Sequence, residues 1–193
     1  MEIHVLYDNR PQPDKLPLVL MELESQALFL HKVWEPVQAN TVVESINLSF
    51  KRIVQYAKDK RLPEVCIVED DLMFCGPGSW DYFLNSKPTE FDIYLGGTYL
   101  IDNPDSYKPP RIKVKEHVGN QCIVVAERYY DTFLSVPNQA HIDTVHRGLG
   151  EFYVCFPFIA LQRPGYSSNH KEKVNYNKEL KPEWIYNGAV HNL

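Results

Sequence analysis

Val65-Cys66-Ile67-Val68-Glu69-Asp70-Asp71-Leu72-Met73-Phe74 is the stretch whose reading decides the fold: an apolar run interrupted by three consecutive carboxylates and then resumed. Four apolar residues, three of them β-branched, read as a buried strand. An ionised carboxylate inside that strand's core would cost several kcal/mol without a partner, so the acids belong at its carboxyl end, where the chain emerges. Open α/β sheets bind their ligands at that end. Side chains alternate along extended backbone, which puts Glu69 and Asp71 on one side and Asp70 on the other. Two hard oxygen ligands on one side suit Mg²⁺ or Mn²⁺ shared with a substrate diphosphate. A solvated turn or a helix cap is the competing account of such a cluster.

Working outward, residues 3–7 alternate toward a first strand that exits into the turn-rich residues 8–13. Arg10 in that turn either meets a nucleotide or is a solvated loop cation. Asp14 is placed to cap a helix through residue 24, and residues 27–34 look extended. The clearest helix starts at Thr41-Val42-Val43-Glu44, which has capping-box spacing, and continues with Ile46, Phe50, Ile53, Val54 and Ala57 on one face. Strand, helix, strand, helix, strand from residue 3 to residue 68 predicts an α/β fold with a mostly parallel, twisted sheet flanked by helices.

Further on, residues 79–84 are a short helix candidate and residues 91–97 a strand running into Gly96-Gly97. Paired glycines there admit the close approach of a ligand or of another backbone, or simply turn the chain. Residues 102–110 form a proline-rich loop long enough to cover a site. Residues 112–118 and 121–126 read as strands separated by Gly119-Asn120, a hairpin turn or a bend. A helix over residues 129–136 is followed by His141-Ile142-Asp143 and an aromatic strand at 152–157. The tail beyond Arg163 is polar and weakly constrained.

Composition narrows the function classes. At 193 residues, 44% of them hydrophobic, the chain suits one well-buried domain, 1–193. A net charge of −5 argues against general attachment to nucleic acid or anionic lipid. The densest basic run, Lys58, Lys60 and Arg61, reads as a solvated helix end. The four cysteines form no C-x-x-C pair and read as reduced core residues. The amino-terminal residues have no secretory-signal pattern, and no run approaches the roughly 18–20 apolar residues that span a bilayer. These features predict a cytoplasmic protein whose membrane contact, if any, is peripheral.

The order of motifs resembles glycosyltransferase family 25, which contains lipooligosaccharide and collagen galactosyltransferases. The resemblance rests on residues 46–54 with Ser49, on the block ending Glu69-Asp70-Asp71, on the strand ending Gly96-Gly97, on Asp143, and on Pro157, Gln162 and Ser167-Ser168. It implies a GT-A-like single domain, with a Rossmann-like nucleotide-binding half over about 1–100 and an acceptor half over about 101–193. It also implies a UDP-linked nucleotide-sugar donor and an acidic motif, equivalent to Asp-x-Asp, that binds Mn²⁺ or Mg²⁺. By position, Glu69 falls near the donor ribose and Asp71 becomes the principal metal ligand, with Arg10, Ser49, Asp70, Gly96 and Gly97 counted on the donor side. Two departures stand out: Phe50 where the family has His after Ser, and Gly119-Asn120-Gln121-Cys122 where it has a Thr-His-Ala-Tyr-like run.

Glycosyl transfer needs a neutralised diphosphate, a held sugar and, for inversion, a base at the acceptor hydroxyl. Asp143 is the candidate base, its alternative being the cap of a helix starting at Thr144. His170 or His191 could add an imidazole to the metal, or be solvated tail residues. The acceptor is a hydroxyl of a glycan, a lipid-linked sugar or another molecule. A catalytically inactive nucleotide- or glycan-binding module is the alternative reading. A nucleotidyltransferase is disfavoured because residues 8–13 lack the glycines of a triphosphate loop.

Overall fold

The computed structural model describes residues 1–8, 15–99, 108–167 and 170–188. Arg10, the Asp14 cap, most of the 102–110 loop and His191 lie outside them.

The predicted alternation is present: β1 (Ile3–Leu6), α1 (Lys15–Ser25), β2 (His31–Trp34), α2 (Val42–Asp59) and β3 (Glu64–Glu69). β1 lies between β2 and β3 and is parallel to both. Thr41 caps α2, its hydroxyl accepting from Glu44 N at 3.1 Å. The Glu44 carboxylate reaches back to Asn40 N, one residue before the cap, so the reciprocal half of the box is displaced by one position. β4 (Leu72–Phe74), α3 (Ser79–Ser86), β5 (Ile93–Leu95), β6 (Arg111–Val114), β7 (Cys122–Ala126), α4 (Tyr130–Ser135) and β8 (Phe152–Cys155) follow.

Seven strands form the central sheet in the order β2-β1-β3-β7-β5-β8-β6. β6 and β7 run against the other five, and β7 is inserted antiparallel between β3 and β5. The sheet is therefore mostly parallel, as expected. β6 and β7 pair with different neighbours, so the break at Gly119-Asn120 is a bend and not a hairpin turn.

Both sheet faces are covered, which explains why β3 reads as a continuous apolar run. Val65 and Ile67 pack with Phe50, Ile53 and Val54 of α2 and Phe133 of α4. Cys66 and Val68 face the opposite way, toward Val19 and Leu23 of α1 and Phe83 of α3. All four cysteines are unpaired. No helix among the described residues is long and apolar enough to cross a membrane.

The segment after β8 returns across the carboxyl ends of the strands. β9 (Ala160–Gln162) pairs antiparallel with β4, and β10 (Gly165–Ser167) pairs with β11 (Glu172–Val174). β9 is seated by the paired glycines: the Gly96 carbonyl accepts from Ile159 N at 2.8 Å and Ala160 N at 3.2 Å. A Cβ on Gly97 would overlap the Ala160 carbonyl oxygen, and one on Gly96 would crowd Ala160, Cys122 and Ile159. It is the chain's own backbone that comes close here. Gly97→Ala should therefore cost roughly 1–3 kcal/mol or more by forcing β9 off the sheet, read as a lower denaturation midpoint in urea.

Candidate functional site

β1 and β3 end side by side, with Leu6 opposite Glu69. The extended backbone of β3 stops at Glu69, and Asp70-Asp71 make the turn into β4. Beside this turn lies a cavity of about 360 Å³ whose lining includes Asp8, Glu69, Asp70, Asp71 and Asp143. Among the described residues lining it, Lys15 is the sole Lys or Arg. Among the described residues, five carboxylates share the lining with one ammonium.

Lys15 is the first residue of α1, and the β1–β3 pairing brings it over the acid turn. Its Nζ lies 3.2 Å from Asp70 Oδ1 and 3.8 Å from Asp71 Oδ2. The other Asp70 oxygen accepts from Asp8 N at 2.8 Å. Burial raises the Asp70 pKa, and Lys15 and the Asp8 amide offset only part of that rise. Burial by itself would lower the pKa of Lys15, yet attraction to Asp70 and Asp71 outweighs it and the net shift is upward. The two-sided alternation expected for the acids is thus only partly present: a turn replaces extended backbone after Glu69, and Asp70 and Asp71 share one lysine.

Asp71 is held by an amide relay. Because Leu72 pairs with Gln162 across β4 and β9, Gln162 Nε2 can donate to Asp71 Oδ2 at 3.0 Å. Gln162 Oε1 in turn accepts from Gln121 Nε2 at 3.2 Å. Asp71 Oδ1 is buried with no hydrogen-bond partner. Burial, opposed by Lys15 but reinforced by Asp70, carries the Asp71 pKa up to about 6. Glu69 is pushed well above the usual carboxylate range by burial, then by repulsion from Asp71, Asp70 and Asp143.

Asp143 reaches the same cavity from the opposite side. No helix starts at Thr144; residues 142–148 are turns, so the helix-cap alternative does not apply. One Asp143 oxygen accepts from Gly119 N at 3.2 Å and the other is buried without a partner. The Gly119-Asn120-Gln121-Cys122 block therefore supports both acids, Gly119 through Asp143 and Gln121 through Gln162. Tyr99 and Tyr176 form an aromatic pair in the cavity wall, ring centroids 5.3 Å apart.

Other expected residues are placed differently. Gly96 and Gly97 are not in the cavity lining, because β9 occupies the space beside them. Ser49 borders the cavity, but its hydroxyl is engaged internally, donating to Ser45 O at 2.6 Å and accepting from Val37 N at 2.8 Å. Phe50 is wholly buried among apolar side chains of the core. His170 is exposed at the cavity rim with its ring 6.2 Å from that of Tyr176. Among the described residues, no group of three or more His, Cys, Asp or Glu is disposed to hold a metal ion. Glu69, Asp71 and His170 consequently do not make a preformed all-protein metal cage.

What the acid turn does fit is a cation shared with a ligand. The unpartnered Asp71 oxygen and the excess of carboxylates match the way Mg²⁺ or Mn²⁺ is held by one or two carboxylates plus phosphate oxygens. Lys15, Gln162 and the tyrosine pair were not singled out for this site by sequence patterning. Gln162 carried a weak signal through the family pattern, whereas Lys15 looks like any helix-start lysine until β1 and β3 are paired.

No protein-family profile and no curated protein matches the sequence. Solved structures with partial likeness include A197 from STIV, at 10% identity over 80% of this chain and 81% of that one, TM-score 0.49. A glycosyltransferase involved in glycosylation of the major capsid of PBCV-1 is 11% identical over 69% of this chain and 64% of that one, TM-score 0.39. A mutant Drosophila β-1,4-galactosyltransferase 7, solved with manganese, UDP-Gal and xylobiose, is 15% identical over 73% of this chain and 56% of that one, TM-score 0.41. The chain thus spans under two thirds of the length of the latter two. With TM-scores below 0.5, these likenesses lend no weight to an assignment of function.

The acid turn predicts an unusual pH profile. For Asp71, with a folded pKa near 6 against an ordinary 3.8, the folded state binds more protons than the unfolded state between those values, so stability falls as pH rises through that window. Above it the loss is complete. Asp71→Asn should recover stability on the order of 2 kcal/mol at pH 7 and make the profile between pH about 4 and 6 shallower, with Asp70 and Glu69 still contributing, measured by denaturation at each pH.

Proposed function

We propose that this chain is a metal-dependent glycosyltransferase of GT-A type, moving a hexose from a UDP-linked sugar to an acceptor hydroxyl with inversion. The observation that carries the reading is the cavity at the carboxyl ends of β1 and β3, where, among the described residues, five carboxylates and one lysine line the wall and a buried Asp71 oxygen has no partner. Such an arrangement stores repulsion that a divalent cation relieves.

Asp71, with Glu69 beside it, would hold Mn²⁺ or Mg²⁺ together with the donor's phosphate oxygens. Bound there, the cation supplies neutralisation of the charge that grows on the departing diphosphate. The chain's own residues account for the rest. Gln121 and Gln162 fix the orientation of Asp71, so little reorganisation is needed when charge develops. Tyr99 and Tyr176 offer aromatic faces to the base or the sugar ring. Asp143, braced by Gly119 N, takes the acceptor proton through its unpartnered oxygen. His170, at the rim, is near enough to join the site as donor or acceptor contacts form.

A second reading, a nucleotide- or glycan-binding module without turnover, is favoured by Phe50: where the family has a histidine this residue is core and cannot touch a substrate. One set of measurements separates the two. Calorimetry should show UDP binding that requires Mn²⁺ and is lost in Asp71→Asn with circular dichroism unchanged. Asp143→Asn should retain that binding while transfer or hydrolysis of the sugar falls about 100- to 10,000-fold. Binding without turnover across glycan acceptors supports the module, and an absence of UDP binding in saturating Mn²⁺ would falsify the donor site.

A further inference from the structure

Lys15 sits against the two aspartates of the acid turn on which the proposed cation site depends. It is the sole Lys or Arg among the described cavity-lining residues, and its Nζ reaches both Asp70 at 3.2 Å and Asp71 at 3.8 Å. The three side chains are largely shielded, with relative exposures of 13%, 9% and 17% for Lys15, Asp70 and Asp71. A divalent ion held through the unpartnered Asp71 oxygen would lie close to this ammonium, on the same carboxylate, and the two would repel strongly in a cleft that water screens poorly. Metal entry therefore requires the lysine to leave.

The cavity offers it a destination. Lys15 stands on the first turn of α1, a flexible four-carbon stem rooted at a helix amino terminus, where anions are favoured. A diphosphate laid against the acid turn would bring oxygens within that stem's reach. On the reading proposed above, we infer that Lys15 is a resident counter-cation that opposes metal binding in the absence of nucleotide and passes from Asp70 and Asp71 to the donor's phosphates when metal and nucleotide enter together. Metal and nucleoside diphosphate then bind cooperatively, each lowering the barrier that the lysine sets for the other. Linkage makes that coupling reciprocal.

The test compares the full chain with Lys15→Met and Lys15→Arg, using Mn²⁺ alone, UDP alone and both, followed by calorimetry and by the paramagnetic resonance of free Mn²⁺. In the unaltered protein Mn²⁺ alone should bind weakly and UDP should tighten it. Lys15→Met should bind Mn²⁺ alone at least about tenfold more tightly and bind UDP in saturating Mn²⁺ at least about tenfold less tightly, so that the coupling shrinks from both sides. Lys15→Arg, which keeps the charge, should behave like the unaltered protein toward metal alone.

Removing the lysine leaves Asp70 buried without its cation, so Lys15→Met should melt at a lower temperature when apo and gain more from Mn²⁺ than the unaltered protein does. If that variant does not fold, lysine ¹³Cε resonances of the unaltered chain provide the readout: the Lys15 signal should move on adding Mg²⁺ with UDP and stay in place with Mg²⁺ alone. Unchanged Mn²⁺ affinity in Lys15→Met, alongside intact Mn²⁺–UDP binding, overturns the inference while leaving the donor site standing. Loss of Mn²⁺–UDP binding in every protein, the unaltered one included, instead removes the donor site itself.

Discussion

The constraint on which this structure turns is an unbalanced charge at the end of its central strands. Glu69, Asp70 and Asp71 leave the sheet together, and the lysine that meets them neutralises only part of their charge. Burial makes the imbalance expensive, since among the described residues Lys15 is the one Lys or Arg that lines the cavity. A fold selected only for stability would not keep three adjacent acids at that point. The surrounding framework keeps them anyway: two covered sheet faces fix β3, and β9 clamps β4 from above.

That framework also explains how so small a chain builds a two-sided cavity. The carboxyl ends of β1 and β3 supply the acids, while the bend at Gly119 and the turns at 142–148 bring Asp143 from across the cleft. The two are joined through residues 119–121, which contact Asp143 at one end and Gln162 at the other. A displacement of that segment would disturb both acids at once. It is a polar bridge between the two acids, and its hydrogen bonds make the arrangement specific.

Much of this was legible in sequence. The alternation through residue 68 predicted the helix-flanked sheet, the Thr41 box located the start of α2, and burial costs placed the acids at a strand end. Asp143, singled out as the candidate base, is one of the carboxylates that line the cavity, carried there by the turns at 142–148. The Gly96-Gly97 pair was ambiguous between ligand and backbone approach, and β9 is what approaches. The Gly119-Asn120 break was equally ambiguous, because a bend and a hairpin turn use the same residues.

While the short strands β9, β10 and β11 carried no local signal, the sequence by itself determined the local facts of its first third: the helix and strand alternation through residue 68, the apolar face of α2, and that three carboxylates must emerge where a strand ends. These follow from periodicity, capping and desolvation, all of which act within a few residues. Only the tertiary structure decided what meets those carboxylates. Lys15 lies 55 residues from Asp70 and Gln162 lies 91 from Asp71, each delivered by strand pairing that no local pattern encodes. The charge was written in one decapeptide, but its counter-ion and its orientation came from chain folded back across the sheet, because electrostatic partners are set by distance in space and not along the sequence.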